Sequence, residues 1–143
     1  MVMTPSPCLR RLAALVAPAA LLLAARGDAT GDATVTFAQP ADDAIVAGGL
    51  VVKMTATGIT IEEAGKVHEG AGHFHVSADD GCTRPGETVP RDADHVHFDG
   101  GQTEGVIYLE PGTHELCLQA GDGSHVALDA SDGVTVEVAI NRP

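Results

Sequence analysis

The sequence has no tryptophan, one tyrosine and three phenylalanines, so aromatics make up only 3% of its 143 residues. That leaves little surface for stacking bases or for a sugar-binding platform. Basic residues are scarce too, with 8 Lys and Arg against 20 Asp and Glu and a formal net charge of −12. So acidic a surface repels phosphate backbones and argues against nucleic acid as a partner. It draws cations loosely, which is not the same as a site.

No apolar run is long enough to span a bilayer. Residues 12–25 (LAALVAPAALLLAA) are interrupted by Pro18 and fall short of the roughly 20 residues a membrane helix needs. The run follows Arg10 and Arg11 and precedes the small residues Ala25, Gly27 and Ala29, any of which could mark a cleavage point; this is the layout of an export signal. Residues 1–27 are therefore expected to be a signal peptide and residues 33–141 one domain, periplasmic or secreted, with no membrane attachment once the signal is gone. Every Asp and Glu lies after Gly27, whereas Arg10, Arg11 and Arg26 precede it, so removal makes the chain still more acidic.

Cysteine is limited to Cys8, Cys82 and Cys117. Without Cys8 an even pair remains, and an oxidising compartment favours a bridge between Cys82 and Cys117 over two thiolate ligands. It would close a loop of about 36 residues, worth on the order of 4 kcal/mol through the unfolded chain. Soft metal chemistry finds little else, because only Met54 survives removal of the leader. Gly-rich phosphate cradles, calcium-loop spacing and a serine elbow are all missing.

What the chain does have is alternation. Residues 34–39, 50–57, 73–78, 94–98, 103–110, 113–120, 124–128 and 133–140 each read as a strand, with residues 45–46 as a short addition. Turn signals recur between them, among them Pro40-Ala41-Asp42-Asp43, Gly100-Gly101, Pro111-Gly112 and Gly121-Asp122-Gly123. Residues 58–72 fit one helical turn or an irregular loop, and residues 79–90 a long connection. Seven to eight short strands without a long helix predict an all-β protein, an immunoglobulin-like antiparallel β-sandwich. In that arrangement the strand at 73–78 pairs with the strand at 113–120.

Two strands carry the chemistry. Gly72-His73-Phe74-His75-Val76 and Asp94-His95-Val96-His97-Phe98 are each a His-x-His pair interleaved with large apolar residues. Alternation puts Phe74 and Val76 on one face and His73 and His75 on the other, and does the same for Val96 and Phe98 against His95 and His97. If the two strands are close, the imidazoles converge on one outward surface, and His125 would join them. Imidazole suits zinc, copper, nickel and iron. The expected metal ligands are His73, His75, His95, His97 and His125, with Glu104 or Asp99 as oxygen donors and copper or zinc as the ion. The plainer alternative is a sheet covered by exposed histidines, each bonded to a neighbouring carboxylate. His68 reads as a loop residue, and His114 as a corner residue whose ring bonds a backbone carbonyl.

Taken together, these runs resemble a known family. The residues are Val35-Thr36-Phe37-Ala38-Gln39-Pro40, Ala64-Gly65, Gly72-His73-Phe74-His75, Val89-Pro90, His95-Val96-His97-Phe98, Gly101-Gln102-Thr103-Glu104, Leu109-Glu110-Pro111-Gly112-Thr113-His114-Glu115-Leu116 and Gly121-Asp122-Gly123-Ser124-His125-Val126. They are similar to the bacterial domain of unknown function 4399, which implies a small exported domain and brings no activity with it. Members often carry a second His soon after the one matching His125, and Ala127-Leu128-Asp129 has none. The segment Gly72-His73-Phe74-His75-Val76 also resembles the copper-binding strand of copper/zinc superoxide dismutase, again followed shortly by a Cys. No His stands at that family's bridging positions, and His114 occupies the place of its anion-guiding Arg.

Three classes of function are open to such a chain: a metal-binding module for storage, delivery or sensing; a structural or interaction sandwich without metal; and a metalloenzyme. The missing nucleophile–base arrangement weighs against the enzyme and leaves the module in front. The metal ion is the expected partner; no feature of the sequence names a protein partner.

Overall fold

A computed structural model describes residues 32–140. The expected signal peptide at 1–27 and the last residue of the expected domain lie outside the described residues. Nine strands run in order: β1 (Thr34–Gln39), β2 (Ala44–Val46), β3 (Gly49–Thr57), β4 (Thr60–Ile61), β5 (Ala71–Ala78), β6 (His95–His97), β7 (Glu104–Tyr108), β8 (Gly112–Gly121) and β9 (Ala127–Val138). None of the described residues is helical, and no helix is long and apolar enough to cross a membrane.

The strands form the two sheets of the expected sandwich. One has three strands in the order β1-β3-β7, all antiparallel; the other has six, in the order β2-β9-β8-β5-β4, with β6 also pairing β5. Period-two patterning explains the interior. In β3, Leu50, Val52 and Met54 are buried while Val51, Lys53 and Thr55 are exposed. Val35, Phe37 and Ile107 join them from the first sheet; Phe74, Val76, Leu116, Leu118 and Val136 meet them from the second. Each large side chain fully buried in such a core contributes roughly 1.5–3 kcal/mol.

Several expectations are corrected. The two strands expected at 124–128 and 133–140 are one continuous β9, and its start at Ala127 follows the left-handed backbone of His125 (φ 67°). A register shift between Gln119 and Gly121 accompanies this turn. The strand expected at 94–98 is reduced to three residues. Residues 58–72 hold no helical turn but the two-residue β4, which runs parallel to β5; β2 is parallel to β9. The sandwich is thus antiparallel with two short parallel edges.

The pairing of β5 with β8 is as expected, and β5 is the strand to which both β6 and β8 align their side chains. Its registers set His75 opposite Gln119 on β8 and opposite His97 on β6. Ser77 faces Cys117 and His95 in the same way, and His73 faces Gly121. Directly opposed residues share a face, so His73, His75, Ser77, His95, His97, Cys117 and Gln119 form a second layer, on the side of the sheet away from the core.

Candidate metal centre

That second layer is not solvent-exposed. Every residue from Ala71 to Ser77 is buried, and His73 and His75 keep only 0% and 2% of their surface. The expected outward histidine face is in fact roofed. Residues 79–92 cross it as a strap, joined to β8 by the Cys82–Cys117 disulfide and by Gln119 Nε2 donating to the Thr83 carbonyl at 2.7 Å. Further along, Gly86 N donates to Ala127 O (2.8 Å), Ala127 N to Glu87 O (2.8 Å) and Val89 N to His125 O (2.9 Å). The turn at 122–125 covers the rest. Asp122 Oδ1 accepts from Ser124 N (2.8 Å) and Val126 N (3.0 Å), and His125 N donates to Asp122 O at 2.9 Å. His125 occupies the left-handed position that glycine would fill without strain, and this aims its ring at β5.

Four imidazoles meet under this roof. One nitrogen from each of His73, His75, His97 and His125 lies within 4.8 Å of the others. His73 Nε2 is 3.0 Å from His125 Nδ1, and His75 Nε2 is 3.4 Å from the same atom. The edges of a tetrahedral zinc site with nitrogen bonds of 2.0–2.1 Å are about 3.3 Å. The set therefore stands near coordination distance and slightly open. Gly121 makes the space: a Cβ there would lie 2.8 Å from His75 Nδ1.

The surroundings orient the rings. His97 Nε2 donates to the Pro90 carbonyl at 2.7 Å, which leaves the Nδ1 lone pair turned inward, the usual outer-shell arrangement of a metal-binding His. Arg91 Nη2 donates to Asp99 Oδ2 at 2.7 Å and to His125 Nε2 at 3.1 Å. With Nε2 accepting, the proton of His125 sits on Nδ1, so this ring ligates a cation through Nδ1 only once the proton has moved to Nε2 and the Arg91 contact is given up. The Nδ1 atoms of His73, His75 and His97 and the Oδ1 atom of Asp99 are buried without a hydrogen-bond partner among the described residues.

Burial keeps the rings of His73, His75 and His97 neutral. Burial, then the neighbouring His73, His97 and His125, push His75 down from 6.5 to about 3. Burial and His125 lower His73. Burial also lowers His97, against the opposing pull of its bond to Pro90. Burial raises the Asp99 carboxyl, but the hydrogen bond and charge of Arg91 and the nearby histidines outweigh it and leave it below the usual carboxylate range. Neutral imidazoles beside an ionised carboxylate are what a cation requires.

The other expected residues stand apart. His95 is on the same layer but opposite Ser77, one pleat repeat away from His97, and its ring turns elsewhere. Its Nδ1 donates to Asp92 Oδ1 at 2.7 Å, and Asp80 Oδ2 lies 3.7 Å from Nε2. The geometry therefore leaves His95 out of the four-ring cluster. Glu104 is on β7, in the opposite sheet, exposed and paired in register with Lys53. His68 is an exposed loop residue bonded to Glu62 Oε1 at 2.7 Å. His114 donates to the Glu110 carbonyl at 2.8 Å, the corner role expected of it, and also meets Asp79 Oδ2 at 2.6 Å. Arg91 went unread in the sequence, and Gly121 was read only as part of a turn. The only available signal for Arg91 was a lone cation two residues after Val89, just ahead of the second His pair, in a chain with few basic residues.

No curated protein matches the sequence. Among solved structures the fibronectin(III)-like modules of Clostridium thermocellum CbhA are similar, at 19% identity and a TM-score of 0.49, covering 76% of this chain and 100% of that one. Residues 52–139 match the family described as Domain of unknown function (DUF4399). That span takes in β5, β6, the strap, β8 and all of β9, together with all four clustered histidines. The match covers more than half of the chain, and the chain belongs to the DUF4399 family.

Proposed function

We propose that this protein is an exported transition-metal-binding domain that holds copper or zinc through His73, His75, His97 and His125, for storage, delivery or sensing. The observation that carries the reading is the convergence of four imidazoles, two buried and two half-buried, with one nitrogen from each lying within 4.8 Å of the others. Buried polar groups normally pair, and leaving one unpaired costs about 1–3 kcal/mol. Two of the atoms that face this point, His97 Nδ1 and Asp99 Oδ1, are buried and unpaired, and an ion there would satisfy both. The Cys82–Cys117 disulfide supports an oxidising compartment, and the leader-like residues 1–27 support export.

The test is metal stoichiometry and affinity of the purified protein. Wild type is expected to take up one copper or zinc ion. His73→Ala/His75→Ala and His97→Ala/His125→Ala should each lose more than about 100-fold in affinity, beyond what the loss of an outer-shell partner alone costs. His95→Ala should bind as wild type does. Because burial holds His73, His75 and His97 neutral below 6.5, occupancy should persist at about pH 6 and fall only in more acidic solution, where protonated imidazole cannot ligate. Undiminished binding in either double variant would remove that pair from the site.

A further inference from the structure

We infer that Asp99 is a fifth donor of this centre and tunes it to a divalent ion, copper(II), over copper(I). The inference rests on the metal-binding reading above and adds the ligand that sets its preference.

The two oxygens of Asp99 have different surroundings. Oδ2 is exposed enough to take the Arg91 guanidinium at 2.7 Å, and that bond fixes the rotation of the carboxylate. Oδ1 is turned inward, buried and without a hydrogen-bond partner. It lies 3.6 Å from His73 Nε2, 3.7 Å from His97 Nδ1 and 3.7 Å from His125 Nδ1, so it caps three of the four inward nitrogens. Donors bonded at about 2 Å to one ion stand roughly 2.8–3.4 Å apart. A closure of a few tenths of an ångström by each side chain brings Oδ1 into that range. Asp99 lies two residues past the end of β6, and its carbonyl accepts from Ala64 N at 2.8 Å, so the backbone carrying this oxygen is tied down.

Four imidazoles and one carboxylate form a hard-to-borderline donor set. Such N,O sets suit copper(II), whereas copper(I) favours thiolate and thioether. Neither soft donor is free among the described residues: Met54 is buried in the core between the sheets, and Cys82 and Cys117 are joined in the disulfide. A carboxylate also attracts a doubly charged ion about twice as strongly as a singly charged one at equal distance. Arg91 acts as a positioning residue that aims Oδ1 and touches no ion.

The experiment compares wild type, Asp99→Asn and Arg91→Gln as full-length chains, with copper(II) and copper(I) as probes. The readouts are competition affinities and the copper(II) electron paramagnetic resonance spectrum. Asp99→Asn should bind copper(II) about 10–100-fold more weakly and with a changed hyperfine pattern, while copper(I) affinity stays within about threefold. Arg91→Gln should keep the wild-type spectrum with a smaller loss. Metal-free Asp99→Asn is checked for folding by thermal unfolding; if it does not fold, Asp99→Ser takes its place. An unchanged copper(II) spectrum and affinity in the Asp99 variant would overturn the inference. So would an equal loss for both oxidation states, or an Arg91→Gln spectrum matching that of Asp99→Asn. Failure of wild type to bind any copper or zinc would instead remove the four-imidazole reading on which this one stands.

Discussion

His114 and Asp79 show how one contact reads differently at the level of atoms than at the level of pattern. His114 faces two acceptors, Asp79 Oδ2 at 2.6 Å and the Glu110 carbonyl at 2.8 Å, so both ring nitrogens donate and the imidazolium form is favoured. The bond to Asp79 and then the one to Glu110 raise the His114 pKa above 6.5, and the bond to His114 lowers Asp79 below 3.8. The raised His contributes stability that is complete below 6.5 and lost as pH rises through its folded value. The lowered Asp contributes stability that is complete above 3.8 and lost as pH falls through its folded value. Their joint effect is largest between those limits. Both groups are partly exposed, so the pair is worth at most about 1 kcal/mol. His114→Ala should therefore lower the unfolding temperature more at about pH 5.5 than at about pH 9. Equal losses at the two pH values would mean that the ring matters for packing alone.

Between residues and the whole lies the strap, which ties three elements into one site. It is anchored at Cys117 on β8, bonded along the start of β9, and delivers the Pro90 carbonyl to His97 on β6. Cys82→Ser/Cys117→Ser should cost about 2–4 kcal/mol of stability, read from denaturant midpoints, since the bridge closes a loop of 35 residues' separation. Metal affinity should fall by about tenfold as the outer-shell contacts to His97 and His125 loosen. Unaltered affinity would show that the backbone bonds to residues 125–127 hold the strap unaided. The β5 and β6 elements were legible in the sequence because alternation marks a strand and sorts its faces. Their neighbours were not, because a pattern along one strand carries no register across two. His97 joins the cluster and His95 does not only because β6 pairs with β5 at His75↔His97. His125 was legible as a candidate but not as a turn residue, since a left-handed His obeys no periodicity.

At the scale of the molecule, β5 divides two kinds of interior. One face contributes Phe74 and Val76 to an apolar core, and the other contributes His73 and His75 to a polar layer buried just as deeply. Sequence alone assigned the first correctly and took the second for surface, because the covering strap and turn are irregular and announce no burial. The two interiors should respond oppositely to mutation. Phe74→Ala removes packed apolar volume and should cost about 3–5 kcal/mol. His75→Leu puts an apolar side chain of similar size in place of a ring whose Nδ1 has no partner and whose Nε2 has only a long 3.4 Å contact to His125 Nδ1. Replacing an unsatisfied buried polar group in this way is neutral or stabilising, so metal-free His75→Leu should unfold no earlier than metal-free wild type. Metal should then separate them. A ligand at about 100 times its dissociation constant adds roughly 2.7 kcal/mol to the wild-type fold, and the variant should gain almost none of it. Thermal unfolding of both variants and wild type, with and without copper(II) or zinc, reads all of these differences together. If His75→Leu unfolds the metal-free protein as severely as Phe74→Ala does, the histidine layer is a structural core in its own right, and its nitrogens are not being kept for an ion.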